Sequence, residues 1–341
     1  MGRVFSFMPG LLVRMRQRST LAVAILLLIT FALAVVAQES PQDITISTAQ
    51  PESHGSPTAS GPDLKPGALS QEQIRELMRH VADHDLENEK RSHDYTYIQR
   101  QEERKLDNNG QVKSTETKTY EVLMIYGEEV ERLIAKNDQP LSAKDARKED
   151  EKIQKLIDKR KDESEQDRRK RLAKEEKERE DGRKFVLEVA DAYNFRLVGI
   201  DQINGRPTYV IDGEPRPGFQ PHMKEAKLLP KFRFRVWIDQ ADTQWIKLDA
   251  TCIDTVSWGL FLARIHKGSR VLIETTRVNN EVWLPKHIEV KVNARLALLA
   301  KLNVEEDLHY SDYKKFRTDV KIVGVGDIVP SAPTSPAPQQ P

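Results

Sequence analysis

The segment KFRFRVWIDQADTQWIKLDATCIDTVSW, residues 231–258, has the residue pattern of two β-strands joined by a short turn. Its two halves, KFRFRVWID and QWIKLDATCIDTVSW, are separated by the polar residues of Gln240–Thr243. Apolar and β-branched runs that are bounded by turn residues are typical of strands. The segment therefore predicts an antiparallel hairpin.

The same pattern extends on both sides of this hairpin. Before it, FRLVGI and PTYVIDG flank the turn at Asn204-Gly205; after it, SRVLIETTRV and EVWLPKHIEVKVNARL flank Asn279-Asn280, and LNVEEDLHYSDYKKF follows. Strands that are joined in series by short turns, with few helices, form an antiparallel sheet that curls on itself.

Towards the N-terminus one helix and a further meander are predicted. Ser70 and Gln73 match a capping box, and apolar residues at helical spacing follow, so a helix is expected over residues 71–89. The strand patterns DYTYIQRQEERKL, TYEVLMIYG and VERLIAK come next, and the turn at residues 107–110 follows the first of them.

Residues 142–182 differ from the rest of the chain because 29 of the 41 are charged, 15 basic and 14 acidic. The large apolar residues of this insert are Ile153, Leu156, Ile157 and Leu172. Ser142 and Ser164 have the pattern of helix N-caps, which predicts two helices at 143–161 and 165–181. The insert is expected to be a solvated helical hairpin that folding does not require, or alternatively an arm that docks a protein partner.

The N-terminus has the pattern of a secretory signal. The basic residues before an apolar run from Leu21 to Ala37 are Arg3, Arg14, Arg16 and Arg18. We expect export to a periplasm or cell envelope, with cleavage after Ala37, although the run is also long enough to remain as a membrane anchor.

The predicted organisation is a signal peptide or anchor at 1–37, a disordered linker at 38–69, one domain at 70–329 and a disordered tail at 330–341. Without residues 1–37 the chain has 50 basic and 53 acidic residues, a net charge of −3. This balance does not favour a nucleic-acid-binding protein.

Four stretches of this sequence are similar to one family of envelope proteins. GRPTYVIDGEPRPG, FRFRVWIDQADTQWIKLDA, VNNEVWLPKHIEV and NVEEDLHYSDYKKF resemble the outer-membrane lipoprotein-sorting proteins, the LolA and LolB type of carrier. The resemblance covers about residues 195–316 and, more weakly, 71–136. The charged insert and the Pro-rich ends depart from the family pattern.

The resemblance implies a mainly β fold with helices, in which an antiparallel curved sheet forms an open half-barrel. The residue patterns add an N-terminal amphipathic helix and an inserted charged helical hairpin. It also implies a hydrophobic cavity for the acyl chains of lipids or lipoproteins; the alternative is a closed core without a cavity. A second functional hypothesis is an envelope sensor or scaffold that binds a protein partner through residues 142–182.

No motif of a catalytic site is present, so an enzyme is not expected. Cys252 lies in an apolar strand pattern and is predicted to be a small buried residue. His80 and His84 lie four residues apart on the first helix and His93 follows, but a zinc site needs a third and usually a fourth ligand. We therefore predict no metal, no cofactor and no catalytic residues.

The turn at Asn279-Asn280 brings two apolar stretches together. If these residues form a two-residue loop, cross-strand partners sum to about 559, and 260–265 lies opposite 294–299. The stretches are either ordinary core or the mouth of the cavity, where Arg264, Lys267 and Arg295 hold an acidic head group or touch a membrane surface. The predicted ligand-binding residues are Tyr209, Phe234, Trp245, Trp258, Leu260, Phe261, Leu262, Arg264, Trp283, Arg295, Leu296 and Leu298.

Overall fold

The computed structural model describes residues 69–258, 263–296 and 300–316. The predicted signal segment and C-terminal tail, and all but one residue of the predicted linker, lie outside these ranges. The helices are α1 (Gln71–Ser92), α2 (Ala143–Lys161), α3 (Glu165–Ala192) and a short 3₁₀ helix at Glu225–Lys231. Among these described helices, none combines the length and apolar character that crossing a bilayer requires.

The strands form one sheet. They are β1 (Tyr95–Leu106), β2 (Val112–Ile125), β3 (Glu128–Lys136), β4 (Gln139–Pro140), β5 (Tyr193–Ile203), β6 (Arg206–Pro215), β7 (Phe232–Asp239), β8 (Gln244–Cys252), β9 (Val256–Trp258), β10 (Ala263–Ile265), β11 (Arg270–Val278), β12 (Val282–Leu296) and β13 (Ala300–Lys315).

Neighbouring strands of the sheet are antiparallel. Their order is β4-β3-β2-β1-β13-β12-β11-β8-β7-β6-β5, and the short hairpin β9-β10 joins the sheet through β12. The two edge strands, β4 and β5, are not paired with each other, so the sheet is open. The predicted fold class, an open antiparallel half-barrel with helices, is confirmed.

The core lies between α1, the last turns of α3 and one face of the sheet, which we call the inner face. In β7 the alternation is clear: Phe232, Phe234 and Val236 are buried, while Arg233 and Arg235 are exposed on the outer face. Successive strand residues point to opposite faces, so one face of each strand can be apolar and the other polar. Of the helices, α1 and the end of α3 cover the inner face.

The predicted caps are confirmed in atomic detail. The Ser70 hydroxyl accepts a hydrogen bond from the Gln73 backbone N–H, and Gln73 Oε1 accepts one from Ser70 N at 2.7 Å. Ser142 and Ser164 cap α2 and α3 in the same way through their hydroxyl groups. These side chains satisfy donors that the first turn of a helix leaves unpaired.

The second helix of the charged insert is longer than predicted. It was expected to stop at residue 181, but α3 continues to Ala192, and its last part is buried in the core through Phe185, Val186 and Val189. The charge pattern ends near Gly182, whereas the helix does not, because the following residues keep an apolar face at helical spacing. Removing 142–182 would therefore cut α3 within the helix.

Most of α2 is exposed, as expected for a solvated hairpin, but one residue of it is buried. Ile153 is only 2% exposed and packs with Ile125 and Val130 of the sheet. Arg160 donates two hydrogen bonds to the Glu128 carboxylate, at 2.7 and 2.8 Å. The insert is thus attached to β3 and to the turn that precedes it.

The predicted two-residue loop between β11 and β12 is wrong. Val278 pairs with Val282, so the turn has three residues, Asn279, Asn280 and Glu281. A bulge after Glu274 shifts the register of β11 further, and β10 then pairs separately with β12, with Ile265 opposite Ala294. The predicted meeting of the two stretches is confirmed for residues 263–265 and 294–296, although the premise for it was not.

Candidate functional site

Two hairpins end side by side at one end of the sheet. Ala263 pairs with Trp258 within the β9-β10 hairpin and with Leu296 of β12, and Leu296 pairs in turn with Ala300 of β13. The residues that connect these strands are Gly259-Leu-Phe-Leu262 and Ala297-Leu-Leu299. Of the predicted mouth residues, Leu260, Phe261, Leu262 and Leu298 fall in these connections and lie outside the described residues.

Beside the hairpin bases, three cations stand in a row across three strands. Arg264 of β10 lies directly opposite Arg295 of β12, which lies directly opposite Lys301 of β13. Side chains that are directly opposite each other share one face of the sheet, and like charges in such pairs are unfavourable. Within the described part of the chain, no salt bridge joins Arg295 or Lys301 to a carboxylate. The row is therefore a place where an anion would relieve repulsion.

A small polar cavity of about 130 Å³ adjoins this row. Its lining residues are Asn108, His266, Asn293, Ala294, Arg295, Lys301 and Asn303. The backbone fixes its walls: His266 N donates to the Asn293 carbonyl at 2.8 Å, and Asn303 Nδ2 donates to the Asp107 carbonyl at 3.2 Å. Sites for drug-sized ligands are about 300–1,000 Å³, so this cavity suits a small anionic group rather than an acyl chain.

Lys267, the third cation that the sequence placed at the mouth, acts elsewhere. Its positive charge helps to lower the pKa of Asp254, whose largest stabilising contact is a hydrogen bond from Lys231. Two of the predicted cations, Arg264 and Arg295, thus lie side by side, and Lys301 continues their row. Lys301 was not predicted because its position opposite Arg295 depends on the β12-β13 register.

Two of the aromatic residues predicted to contact a ligand lie in the packed interior. Phe234 is 8% exposed, and its ring lies edge-on to that of Tyr193, with the ring centres 4.7 Å apart. A Cβ atom on Gly213 would lie 2.5 Å from the Phe234 ring, so the strand needs a glycine there. Trp245 is 1% exposed, and its indole N–H donates to Asp85 Oδ1 at 3.1 Å.

Tyr209 and Trp283 are also held in place by described contacts. Tyr209 is half-buried against it. The backbone N–H and carbonyl of Trp283 are both bonded to the Asn88 side chain, at 2.7 and 2.6 Å. Trp258 is fixed through its backbone pairing with Ala263. Asp85 and Asn88 therefore fasten the C-terminal half of α1 onto the sheet.

A carboxyl group on α1 has a raised pKa and is therefore a weaker acid than usual. The pKa of Glu89 is raised to about 7, first because the group is buried and second because Asp85 lies nearby; Arg179 of α3 opposes both effects. On the inner face of β13, the pKa of Glu306 is also raised to about 7 by burial and by the charge of Glu103. These two groups take up protons near neutral pH.

Replacing Glu89 with glutamine is expected to stabilise the protein at pH 8 by about 3 kcal/mol, since one pKa unit corresponds to about 1.4 kcal/mol. A raised pKa in the folded state makes the charged form unfavourable, and this penalty is absent below pH 4.5 and complete above pH 7. Urea unfolding at both pH values measures the difference. Glu87→Gln is the matched control, because Glu87 lies on the same helix but its pKa is lowered by the Lys90 hydrogen bond. Equal stabilisation of Glu89→Gln at pH 4.5 and pH 8 would contradict the assignment.

The cysteine and the two helical histidines considered as reactive or metal-binding groups each contact a different part of the structure. Cys252 is buried, its thiol donates to the Asp254 carbonyl, and burial raises its pKa to about 11, which disfavours a reactive thiolate. His80 Nε2 lies 3.2 Å from Glu76, and His84 Nδ1 lies 2.9 Å from the Asp242 carbonyl. The i,i+4 histidine pair therefore does not turn towards a shared ligand.

Comparisons with known proteins find similarity among solved structures. An outer membrane lipoprotein-sorting protein domain from Vibrio parahaemolyticus is 10% identical, with a TM-score of 0.31, over 72% of this chain and 95% of that one. The LolA superfamily protein from Nitrosomonas europaea is 11% identical, with a TM-score of 0.27, over 73% and 95%. A DUF1329 family protein from Desulfovibrio piger is 9% identical, with a TM-score of 0.27, over 73% and 93%.

No protein-family model and no curated protein matches the chain. The neighbours include the proteins that the sequence was found to resemble, the LolA superfamily and the lipoprotein-sorting domains.

Proposed function

We propose that this chain is an exported envelope protein that binds the acyl chain of a lipid or of a lipidated protein and hands it on without making or breaking bonds. One observation carries the proposal: at one end of the sheet, two apolar hairpin connections adjoin the row of Arg264, Arg295 and Lys301. We call this region the hairpin end.

The composition of the hairpin end is unusual for strand connections. Connecting segments run over the surface and are normally polar, yet GLFL and ALL carry five large apolar residues between them. Apolar side chains next to lysine and arginine are typical of protein surfaces that meet a lipid interface, where the apolar groups enter the acyl region and the cations meet phosphates. The polar cavity beside the row suits such a phosphate.

The driving force for cargo binding would be burial of hydrocarbon. Each methylene removed from water contributes about 0.8 kcal/mol, so an acyl chain of ~14 carbons gives roughly 10 kcal/mol before ordering costs. Tyr209, Phe234, Trp245 and Trp283 belong to this proposal as the surface that the chain meets beneath α1. Displacement of α1 would break the contacts of Asp85 and Asn88, which gives α1 the role of a cover.

Reversing two charges of the cationic row is expected to weaken binding to anionic vesicles. Basic residues near an anionic surface contribute about 1 kcal/mol each, so Arg295→Glu with Lys301→Glu should lower the affinity of the mature chain for phosphatidylglycerol vesicles about tenfold or more. Vesicle sedimentation measures the affinity. The matched control is Lys144→Glu with Lys155→Glu on α2, which changes the net charge equally. Equal losses for both double variants would show that net charge alone acts, and would overturn the assignment of the hairpin end.

A second candidate function is a sensor or scaffold whose protein partner binds the charged insert. The observation that favours it is the outward surface of α2 and α3, where Arg147 and Arg169 are about four-fifths exposed and Leu172 is 46% exposed. Deletion of 142–182 would damage α3, so point substitutions on this surface are the suitable probe. A partner that is lost with Arg147→Ser and Arg169→Ser, but kept with Arg295→Glu, would favour this function over lipid binding.

A further inference from the structure

Two histidines and an aspartate meet on the outer face of the sheet, away from the hairpin end and from the core. His287 lies on β12 and is the direct cross-strand partner of His309 on β13, and Asp307 precedes His309 by two residues on the same face. Residues two apart on a strand, and residues directly opposite each other, point the same way. The backbone therefore brings the three side chains together without any loop.

The ligand atoms of this group converge. His287 Nε2 lies 3.0 Å from Asp307 Oδ1, and His309 Nε2 lies 2.8 Å from the same oxygen. The two imidazole rings are stacked, with centroids 4.5 Å apart and planes 11° from parallel. One ligand atom from each of the three residues fits within 4.8 Å of the others.

These separations are close to those of ligands around one ion. Zinc bonds to imidazole nitrogen and carboxylate oxygen are about 2.0–2.2 Å, so the ligands of a tetrahedral site stand about 3.3 Å apart. The observed nitrogen-to-oxygen distances are a few tenths of an ångström shorter, and small side-chain rotations would open the group for an ion. Imidazole nitrogens suit zinc and copper, whereas magnesium and calcium prefer oxygen ligands.

The surroundings supply the support that metal-bound histidines usually have. Glu274 of β11, the cross-strand partner of His287, places Oε2 3.9 Å from His287 Nδ1, and Lys247 holds Glu274 Oε1 at 2.7 Å. At 3.9 Å this carboxylate is not hydrogen-bonded to the ring, but its negative charge beside Nδ1 favours the tautomer that leaves Nε2 for the metal. On the other side, Arg104 lies 3.8 Å from Asp307 Oδ2 and would stay as its partner.

The exposure of the ligands leaves one side open. His287 and Asp307 are about one-fifth exposed, whereas His309 is 56% exposed. Three protein ligands and an open position towards solvent make a site with room for water or for a carboxylate from another molecule. The sheet supplies the rigidity that a surface histidine pair on a loop would lack.

We propose that His287, Asp307 and His309 form a zinc-binding site that ties β13 to β12. A bound ion would link the strand that joins the two halves of the sheet, since β13 lies between β1 and β12. It would bind the folded chain and not the unfolded one, and so would raise the stability of the fold.

The test is zinc titration of the full chain, purified without an affinity tag and stripped with a chelator. Calorimetry is expected to give one Zn²⁺ per chain, and zinc should raise the melting temperature. His309→Ala and Asp307→Asn should each lower the zinc affinity about tenfold or more, a size typical of losing one metal contact. His222→Ala is the matched control, because that histidine is 85% exposed and lies far along the chain beside Glu188.

Each outcome decides the proposal. His309 is exposed and Asp307→Asn keeps the side-chain shape, so both variants are expected to fold, and circular dichroism checks this. The proposal is overturned if the chain binds no zinc, if both variants bind it as tightly as the unaltered chain, or if His222→Ala loses it equally. Loading the stripped chain with Co²⁺ gives a second readout, since the visible spectrum of Co²⁺ bound to nitrogen and oxygen ligands should disappear in His309→Ala.

Discussion

Phe185→Asp is expected to prevent accumulation of the folded protein. Phe185 is 5% exposed in the core cluster shared by α1, α3 and the sheet. Removing a buried phenylalanine side chain costs about 3–5 kcal/mol, and placing a carboxylate in an apolar site adds a further penalty. The whole stability of a domain is about 5–15 kcal/mol, so this single change uses much or all of it. Circular dichroism and urea unfolding of the purified chain measure the result.

Leu172→Asp is the control on the same helix. Leu172 lies thirteen residues earlier in the charged part of α3 and is 46% exposed. An exposed position away from packing contacts usually changes stability by less than about 0.5 kcal/mol. A folded Phe185→Asp protein with unchanged stability would show that the end of α3 is not part of the core, and that the charged insert is a separate appendage after all.

Phe261→Glu is expected to abolish lipid transfer while the fold is kept. Phe261 belongs to the connection between Trp258 and Ala263, whose backbone pairing sets the β9-β10 hairpin at the hairpin end. A charged side chain there opposes entry into the acyl region, where the apolar phenylalanine ring gains about 1.5–3 kcal/mol by burial. Transfer of a fluorescent acyl lipid between donor and acceptor vesicles is the measurement.

Phe261→Leu keeps an apolar side chain and should retain transfer. If Phe261→Glu unfolds the protein, the residue is core and the mouth lies elsewhere; if transfer is unchanged, lipid does not pass the hairpin end. Either result contradicts the proposed function. The zinc proposal does not depend on this variant, because it is tested on the unaltered chain and His287 and His309 lie on the strands rather than in the connections.

The sequence predicted the elements better than their register. The hairpin at 231–258, the capping box of Ser70 and both N-caps of the insert depend on local patterns, and the structure confirms them. The β11-β12 register depends on a three-residue turn and on a bulge after Glu274, neither of which has a reliable pattern in one sequence. β10 nevertheless pairs with β12 as predicted. The register shifts caused by the three-residue turn and by the bulge are offset by the turn that precedes β11.

In the candidate sites too, residues marked by a local pattern were predicted, and residues placed by strand pairing were not. Arg264 and Arg295 were predicted because they adjoin apolar stretches, but Lys301 depends on strand pairing across the β12-β13 hairpin. The group of His287, Asp307 and His309 was not predicted, because no spacing within one strand reveals it. The raised pKa of Glu89 was likewise not predicted, since burial of that carboxyl depends on how α1 lies against α3.

The position of β13 in the sheet affects how the protein can fold during its synthesis. Tyr95, the first residue of β1, pairs with Lys315, the last residue of β13. A chain still emerging from the ribosome can form the β1-β4 meander, but it lacks the strand that joins this meander to the rest of the sheet. Pairing between distant segments also makes folding slow. We therefore expect the newly made chain to remain an open meander, with its first strand lacking a partner on one side, until β13 has been synthesised.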